Sequence, residues 1–117
     1  MCHVLVIEDD FLIADHIIRL AQAGGATSVA QADSQEGAIT AARDRKPEVI
    51  LSDVKLACGT GPLAVQAIIA EHGAIPVIFI TGSPESCEPC EPPGVIMTKP
   101  IQDRSVVEAF RRLAPQG

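Results

Sequence analysis

The sequence contains no tryptophan and no tyrosine, and only three of its 117 residues are phenylalanine, although 47% of the residues are hydrophobic. The side chains available for a core are therefore mainly aliphatic. No apolar run approaches the roughly 18 residues that a membrane-spanning helix needs. The chain also does not open with the basic segment and apolar run of a secretion signal. We therefore expect a cytoplasmic protein that does not bind a membrane.

Basic residues are scarce as well. Nine lysines and arginines stand against fifteen acidic residues, which gives a formal net charge of −6. Proteins that bind nucleic acids concentrate lysine and arginine on one surface. Here the basic residues are scattered, with small groups at residues 43–46 and 111–112. We therefore expect no nucleic-acid partner.

The length of 117 residues suits one compact domain with a single core, so we assign residues 1–117 to one domain. Strand-like and helix-like segments alternate along it, which predicts a three-layer α/β sandwich with right-handed crossovers. We predict strands at 4–7, 27–32, 48–53, 76–81 and 95–98, and helices at 11–23, 33–45, 62–72 and 103–113. The segment 82–94 contains four prolines, so we predict at most one helical turn and otherwise a mobile loop there.

The apolar run from Glu48 to Asp53 is the predicted central strand. It lacks alternation, as strands buried on both faces of a parallel sheet do. Parallel strands place their carboxyl ends at one edge, where open α/β sheets bind ligands. The polar residues that end or follow the predicted strands are Glu8, Asp9, Asp10, Asp53, Thr81 and Lys99. We therefore expect a functional site at this edge.

A group of carboxylates at one edge repels itself, so it either has raised pKa values or holds a hard cation. Mg²⁺, or Mn²⁺ in its place, suits oxygen ligands of this kind. Asp53 is the candidate nucleophile for a phosphoryl group, and Lys99 and Thr81 could neutralise and bind the transferring group. We assign Asp10 to capping the first helix. The alternative is that the acids form only a solvated strand end.

These residues resemble the receiver domain of bacterial two-component response regulators. The matching segments are Val4–Asp10, Leu51–Val54, Ile80–Gly82 and Thr98–Pro100. The resemblance implies a flavodoxin-like (CheY-like) fold with a five-stranded parallel sheet of order 2-1-3-4-5. Within the family, the chain looks like a stand-alone receiver in which the helix before the last strand is degraded.

The resemblance also implies a role for each matching residue. Glu8 and Asp9 would be the acidic pair that binds the metal together with Asp53, the phosphoacceptor. The backbone carbonyl of Lys55 would be a further metal ligand. The remaining assignments are phosphoryl binding by Thr81 and Lys99 and a cis peptide bond between Lys99 and Pro100. A histidine kinase or histidine phosphotransfer protein would supply the phosphoryl group.

The sequence departs from the family at two positions. The switch residue that pairs with Thr81 is usually aromatic, but here it is Ile96. The proline common four residues after the phosphoacceptor is Ala57. The usual exchange between a threonine and an aromatic side chain therefore cannot operate in its ordinary form.

Four cysteines in a chain of this size fit a reduced cytosol better than a disulfide scaffold. Cys87 and Cys90 have the spacing of a redox-active pair, with Cys58 as a potential third partner. Three nearby glutamates, at 85, 88 and 91, should raise the thiol pKa values and lower their reactivity. A thiol-based redox or metal-responsive switch on the same scaffold is therefore the alternative function. We interpret His3, His16 and His72 as surface or edge residues.

Two enzyme or binding classes share part of the pattern. A phosphatase with an aspartyl nucleophile wants a second acid two residues after it, where this chain has Lys55. A flavin or nucleotide binder would present Ser, Thr and Gly after the first strand, where this chain has three acids. The leading hypothesis is a stand-alone signalling phosphoacceptor that contacts an unknown downstream protein or drains phosphoryl groups from a kinase. It would catalyse at most its own phosphorylation and dephosphorylation.

Overall fold

A computed structural model describes residues 2–82 and 94–114 of the chain. In this part of the chain, strands and helices alternate as predicted. The elements are β1 (His3–Ile7), α1 (Phe11–Ala23), β2 (Ser28–Ala32), α2 (Gln35–Asp44), β3 (Val49–Ser52), α3 (Gly61–His72), β4 (Val77–Thr81), β5 (Gly94–Thr98) and α4 (Asp103–Leu113). The loop predicted at 82–94 falls almost entirely outside the described residues.

The five strands form one parallel sheet of order β2-β1-β3-β4-β5. This confirms the predicted fold class and strand order. Every residue of β1, β3 and β4 is buried, which explains why these segments are continuous apolar runs. β2 lies at an edge of the sheet and is only partly buried, in agreement with its weaker apolar pattern.

Two clusters of apolar side chains cover the two faces of the sheet. On one face, Leu5 and Ile50 pack with residues of α2 and α3. On the other face, Val6 and Leu51 pack with residues of α1 and α4. Successive strand residues point to opposite faces, so each buried strand contributes to both clusters. The three layers keep the strand ends fixed relative to one another.

Apolar residues recur at helical spacing in segment 11–23 and predict one buried face for α1, formed by Phe11, Ala14, Ile17, Ile18 and Ala21. In the structure Ala14, Ile17 and Ala21 are buried, but 73% of Phe11 is exposed, so the prediction is wrong for Phe11. α4 contacts α1 through hydrogen bonds at His16 and Ala23. The first turn of α1 therefore extends beyond α4, which covers the rest of the apolar face of α1.

Two further details differ from the predictions. Ser34, and not Asp33, caps α2, because its hydroxyl accepts a hydrogen bond from the Gly37 N–H at 3.0 Å. In the sequence, Asp33 followed three residues later by Glu36 predicts a capping-box-like start, and the structure shows that this prediction is wrong by one residue. His3 is only 5% exposed, and its Nδ1 lies 2.7 Å from the Ser28 hydroxyl. His3 is therefore a core residue at the amino edge of the sheet and not a surface residue.

No helix in the part of the chain that the structure describes is long and apolar enough to cross a membrane.

Candidate functional site

Three carboxylates converge at the carboxyl edge of the sheet. Glu8, Asp9 and Asp53 each offer one oxygen, and these oxygens all lie within 4.8 Å of one another. Asp53 follows β3, and its N–H donates to the carbonyl of Ile7 at 2.8 Å. The pairing of β1 with β3 thus continues one residue past the strand. That extra hydrogen bond sets Asp53 beside the acids that follow β1.

Both oxygens of the Asp53 carboxylate have partners at the carboxyl edge of the sheet. The residue is only 9% exposed, but its contact with Lys99 shows that the carboxylate does not point into the apolar interior. Oδ1 accepts a hydrogen bond from the Val54 N–H at 2.7 Å. Oδ2 lies 3.3 Å from the ammonium nitrogen of Lys99. The orientation of the carboxylate is therefore fixed by a backbone donor and a cation.

Glu8 is the most deeply buried acid of the site, with 1% of its surface exposed. The pKa of Glu8 is raised to about 7, mainly by burial and in addition by the nearby charge of Asp53. A hydrogen bond from the Asp10 N–H to Oε2 at 3.2 Å and the charge of Lys99 oppose this rise. In the metal-free protein the Glu8 carboxyl is therefore only partly ionised near neutral pH.

Lys99 supplies the positive charge within the cluster. Its Nζ lies 3.3 Å from an oxygen of Glu8 and 3.3 Å from an oxygen of Asp53. Burial lowers the pKa of Lys99, but the charges of the two carboxylates outweigh it, so the net pKa is raised. The Lys99 N–H donates to the carbonyl of Thr81 at 2.8 Å, and the Lys99–Pro100 peptide bond is cis. Lys99 is thus an ammonium ion placed between the two acids.

The loop between β3 and α3 closes the site on the side of Asp9. The Ala57 N–H donates to Oδ2 of Asp9 at 2.7 Å. Lys55 is exposed at its side chain and forms an antiparallel bridge with Thr60 through the backbone. Asp10, next to Asp9, accepts hydrogen bonds from the N–H groups of the first turn of α1. Its assignment to capping is therefore confirmed.

The other residues that the sequence analysis selected are Thr81, Ile96 and the cysteines. Thr81 ends β4 and is 2% exposed, directly beside β5. Ile96 lies on β5 with 44% of its surface exposed. Cys58 is a free, exposed thiol in the β3–α3 loop, and Cys2 is buried at the opposite edge of the sheet. Cys87 and Cys90 lie outside the described residues.

Two residues that support Asp53 were not anticipated from the sequence. The buried hydroxyl of Ser52 donates to the carbonyl of Asp53 at 2.7 Å. Gly61, the first residue of α3, approaches the same carbonyl so closely that a Cβ atom there would lie 1.8 Å from the oxygen. The sequence signal for Gly61 was its position just before Pro62, which marks the start of a helix. The close contact itself leaves no signal in the sequence.

Comparison with known proteins agrees with the fold. The family model described as the response regulator receiver domain matches residues 4–111. The chain therefore belongs to the response regulator receiver domain family. Proteins of this family act in two-component signal transduction.

Two curated relatives and one solved structure illustrate how similar this chain is to known proteins. The chain is 39% identical over 82 residues to the response regulator GacA of Pseudomonas viridiflava, which covers 69% of this chain and 38% of GacA. It is 32% identical over 106 residues to the phyllosphere-induced regulator PhyR of Methylorubrum extorquens, covering 88% of this chain and 40% of PhyR. The chain thus spans about two-fifths of the length of these curated relatives. The receiver domain of Erythrobacter litoralis PhyR superposes with a TM-score of 0.84 at 30% identity, covering 99% of this chain and 95% of that domain.

Proposed function

We propose that the chain is a response regulator receiver that accepts a phosphoryl group on Asp53 with the help of a divalent cation. The observation that supports this most directly is the convergence of Asp53, Glu8 and Asp9 within 4.8 Å, with the Lys99 ammonium 3.3 Å from two of them. A nucleophilic carboxylate beside a cation and an acidic pair is what phosphoryl transfer to a carboxylate requires.

The residues of the cluster fit a divalent cation. All the ligand atoms are oxygens, which are the ligands that Mg²⁺ or Mn²⁺ prefers. The raised pKa of Glu8 reflects a buried negative charge that Lys99 does not fully compensate. In the proposal, Glu8, Asp9 and Asp53 hold the cation together with the backbone carbonyl of Lys55. When bound, the cation neutralises charge on the incoming phosphoryl group.

Each residue then has a defined part in the transfer. An oxygen of the Asp53 carboxylate attacks phosphorus, and the phosphorus–nitrogen bond of the donor phosphohistidine breaks, with the electron pair left on the imidazole nitrogen. Lys99 leaves its ion pair with Asp53 to contact a phosphoryl oxygen, and the Thr81 hydroxyl contacts another. Hydrolysis of the aspartyl phosphate returns Asp53 to a carboxylate. The chain thus catalyses only its own phosphorylation and dephosphorylation.

The donor in this proposal is a histidine kinase or a histidine phosphotransfer protein. The receiver then signals by contact with another protein or acts as a sink for phosphoryl groups. One solved relative, from Bartonella quintana, is described as the anti-anti-sigma factor PhyR; it is 31% identical to this chain, with a TM-score of 0.75, and the match covers 94% of this chain and 48% of that protein. This likeness favours a protein as the downstream partner.

The test is phosphorylation with a small donor. The protein is incubated with acetyl phosphate and Mg²⁺, and the intact mass is measured for the wild type, for Asp53→Asn and for Asp33→Asn. Asp33 is an exposed acid at the same edge of the sheet, outside the carboxylate cluster, and serves as the matched control. We expect one phosphoryl group on the wild type and on Asp33→Asn, and none on Asp53→Asn. Equal labelling of all three proteins would show that Asp53 is not the acceptor.

The dependence on the cation is measured in the same assay. Removing Mg²⁺ with EDTA should abolish labelling, and Mn²⁺ should restore it. Labelling that continues unchanged in EDTA would remove the divalent cation from the proposal.

A further inference from the structure

Gln35, the first residue of α2, holds the β3–α3 loop at two points. Its backbone N–H donates to the carbonyl of Cys58 at 3.1 Å. Its side-chain Oε1 accepts a hydrogen bond from the Thr60 N–H, also at 3.1 Å. The first N–H groups of a helix have no partner within the helix, so the backbone donor of Gln35 is available for the loop. One residue of α2 therefore brackets three consecutive residues of the loop.

Gly59, between the two bracketed residues, lies directly against Gln35. Its φ angle is +88°, in the region that favours glycine. A Cβ atom at this position would lie 2.5 Å from the Cβ and from the Oε1 of Gln35. The loop backbone therefore packs against the Gln35 side chain without room for another side chain between them.

The same loop reaches the carboxylate cluster one residue before Cys58. The Ala57 N–H donates to Oδ2 of Asp9 at 2.7 Å. This hydrogen bond orients the Asp9 carboxylate and leaves its remaining lone pairs for a ligand. Asp9 is half-buried, and its carboxylate is restrained by this loop contact together with a side-chain contact to Glu8. The position of Ala57 depends in turn on where Gln35 holds Cys58 and Thr60.

We propose that Gln35 is a positioning residue for the divalent cation: it fixes the β3–α3 loop so that the Ala57 N–H holds Asp9 in the orientation that binds the ion. This inference rests on the proposed function, since it concerns the cation of that site. Gln35 itself does not contact the ion. It acts through Thr60, the loop backbone and Ala57, in that order.

The experiment measures Mg²⁺ binding by isothermal titration calorimetry, without any phosphoryl donor. The variants are Gln35→Ala, which removes the acceptor for Thr60, and Gln35→Glu, which keeps an acceptor oxygen at the same reach. Gln31→Ala is the matched control, because Gln31 is an exposed glutamine of β2 at the same edge. Circular dichroism and a thermal unfolding curve establish that each variant is folded.

We expect Gln35→Ala to bind Mg²⁺ about 3- to 10-fold more weakly, the range that the loss of one hydrogen bond corresponds to. Gln35→Glu and Gln31→Ala should bind at least as tightly as the wild type. In hydrogen-exchange NMR, the Ala57 amide should exchange faster in Gln35→Ala than in Gln35→Glu. This exchange reports the loop directly and does not require the ion.

Wild-type Mg²⁺ affinity and wild-type Ala57 exchange in Gln35→Ala would overturn the inference. So would an equal loss of affinity in Gln35→Ala and Gln35→Glu, because the acceptor oxygen would then not matter. If the proposed function is wrong, a different experiment shows it: acetyl phosphate and Mg²⁺ will not label the wild-type protein on Asp53. The two failures are therefore distinguishable.

Discussion

The buried carboxylate of Glu8 leads to a quantitative prediction for the metal-free protein. Folding raises the pKa of Glu8 from 4.5 to about 7, so the folded chain binds this proton more tightly than the unfolded chain. The stability that the proton contributes is fully present below pH 4.5 and is lost as the pH rises through about 7. Since Glu8 is almost fully buried, the difference between the two pKa values corresponds to about 3 kcal/mol.

The substitution Glu8→Gln removes this titration and keeps the shape of the side chain. Between pH 4.5 and about pH 8, we expect the free energy of unfolding of Glu8→Gln to rise relative to that of the wild type by about 3 kcal/mol. The measurement is urea denaturation in EDTA, followed by circular dichroism because the chain has no tryptophan or tyrosine to report by fluorescence. Two curves that stay parallel across this pH range would refute the reasoning.

Two controls separate Glu8 from general charge effects. Asp33→Asn removes an exposed acid from the same edge and should leave the pH dependence of the wild type unchanged. Saturating Mg²⁺ should stabilise the wild type most at high pH, since the cation then takes the place of the proton. In Glu8→Gln the same addition should stabilise the protein less.

Three further predictions concern other parts of the structure. In Gly61→Ala the new Cβ would overlap the Asp53 carbonyl. We therefore expect the free energy of unfolding, measured in urea, to fall by about 1–3 kcal/mol and labelling by acetyl phosphate to become slower. Unchanged stability would contradict the close contact. Lys99→Met should slow labelling by at least about tenfold, measured by intact mass, because the charge on the phosphoryl group loses its ammonium partner; labelling at the wild-type rate would remove Lys99 from the mechanism. Burial, together with the charge of Arg45, lowers the pKa of His3 below 6.5, so the contribution of His3 to stability should fall as the pH drops below that value, opposite to the contribution of Glu8. In urea denaturation, the free energy of unfolding of His3→Gln should therefore rise relative to that of the wild type as the pH falls below 6.5, and a constant difference between the two proteins would contradict this prediction.

The arrangement of the site was largely predictable from the sequence because it follows from the strand ends. Parallel strands have one carboxyl edge, so the acids after β1, the aspartate after β3 and the lysine after β5 had to meet there. The short distances between Glu8, Asp53 and Lys99 follow from this topology. The buried central strands were recognisable for the same reason, as apolar runs without alternation.

The details that were missed depend on contacts between distant segments. Phe11 has the spacing of a buried helical residue, but its burial depends on how far the covering helix extends. His3 looks polar in the sequence, and only its pairing with Ser28 across two strands allows it to be buried. Ser34 and Asp33 are both residue types that cap helices well. Which of them caps α2 depends on where the backbone turns after the end of β2. Patterns within one segment contain none of this information.

Three acids follow one another after β1, and they differ in burial and in the partners of their carboxylates. Glu8 is enclosed, Asp9 is half-buried against a loop, and Asp10 faces solvent at the start of α1. Each step along the backbone turns the next side chain toward different neighbours, so these three carboxylates are not interchangeable copies. Exchanging Glu8 with Asp9 would preserve net charge and composition and would still shorten the enclosed side chain, drawing its oxygens away from the lysine. At this corner of the molecule, the order of the residues matters more than how many acids are present.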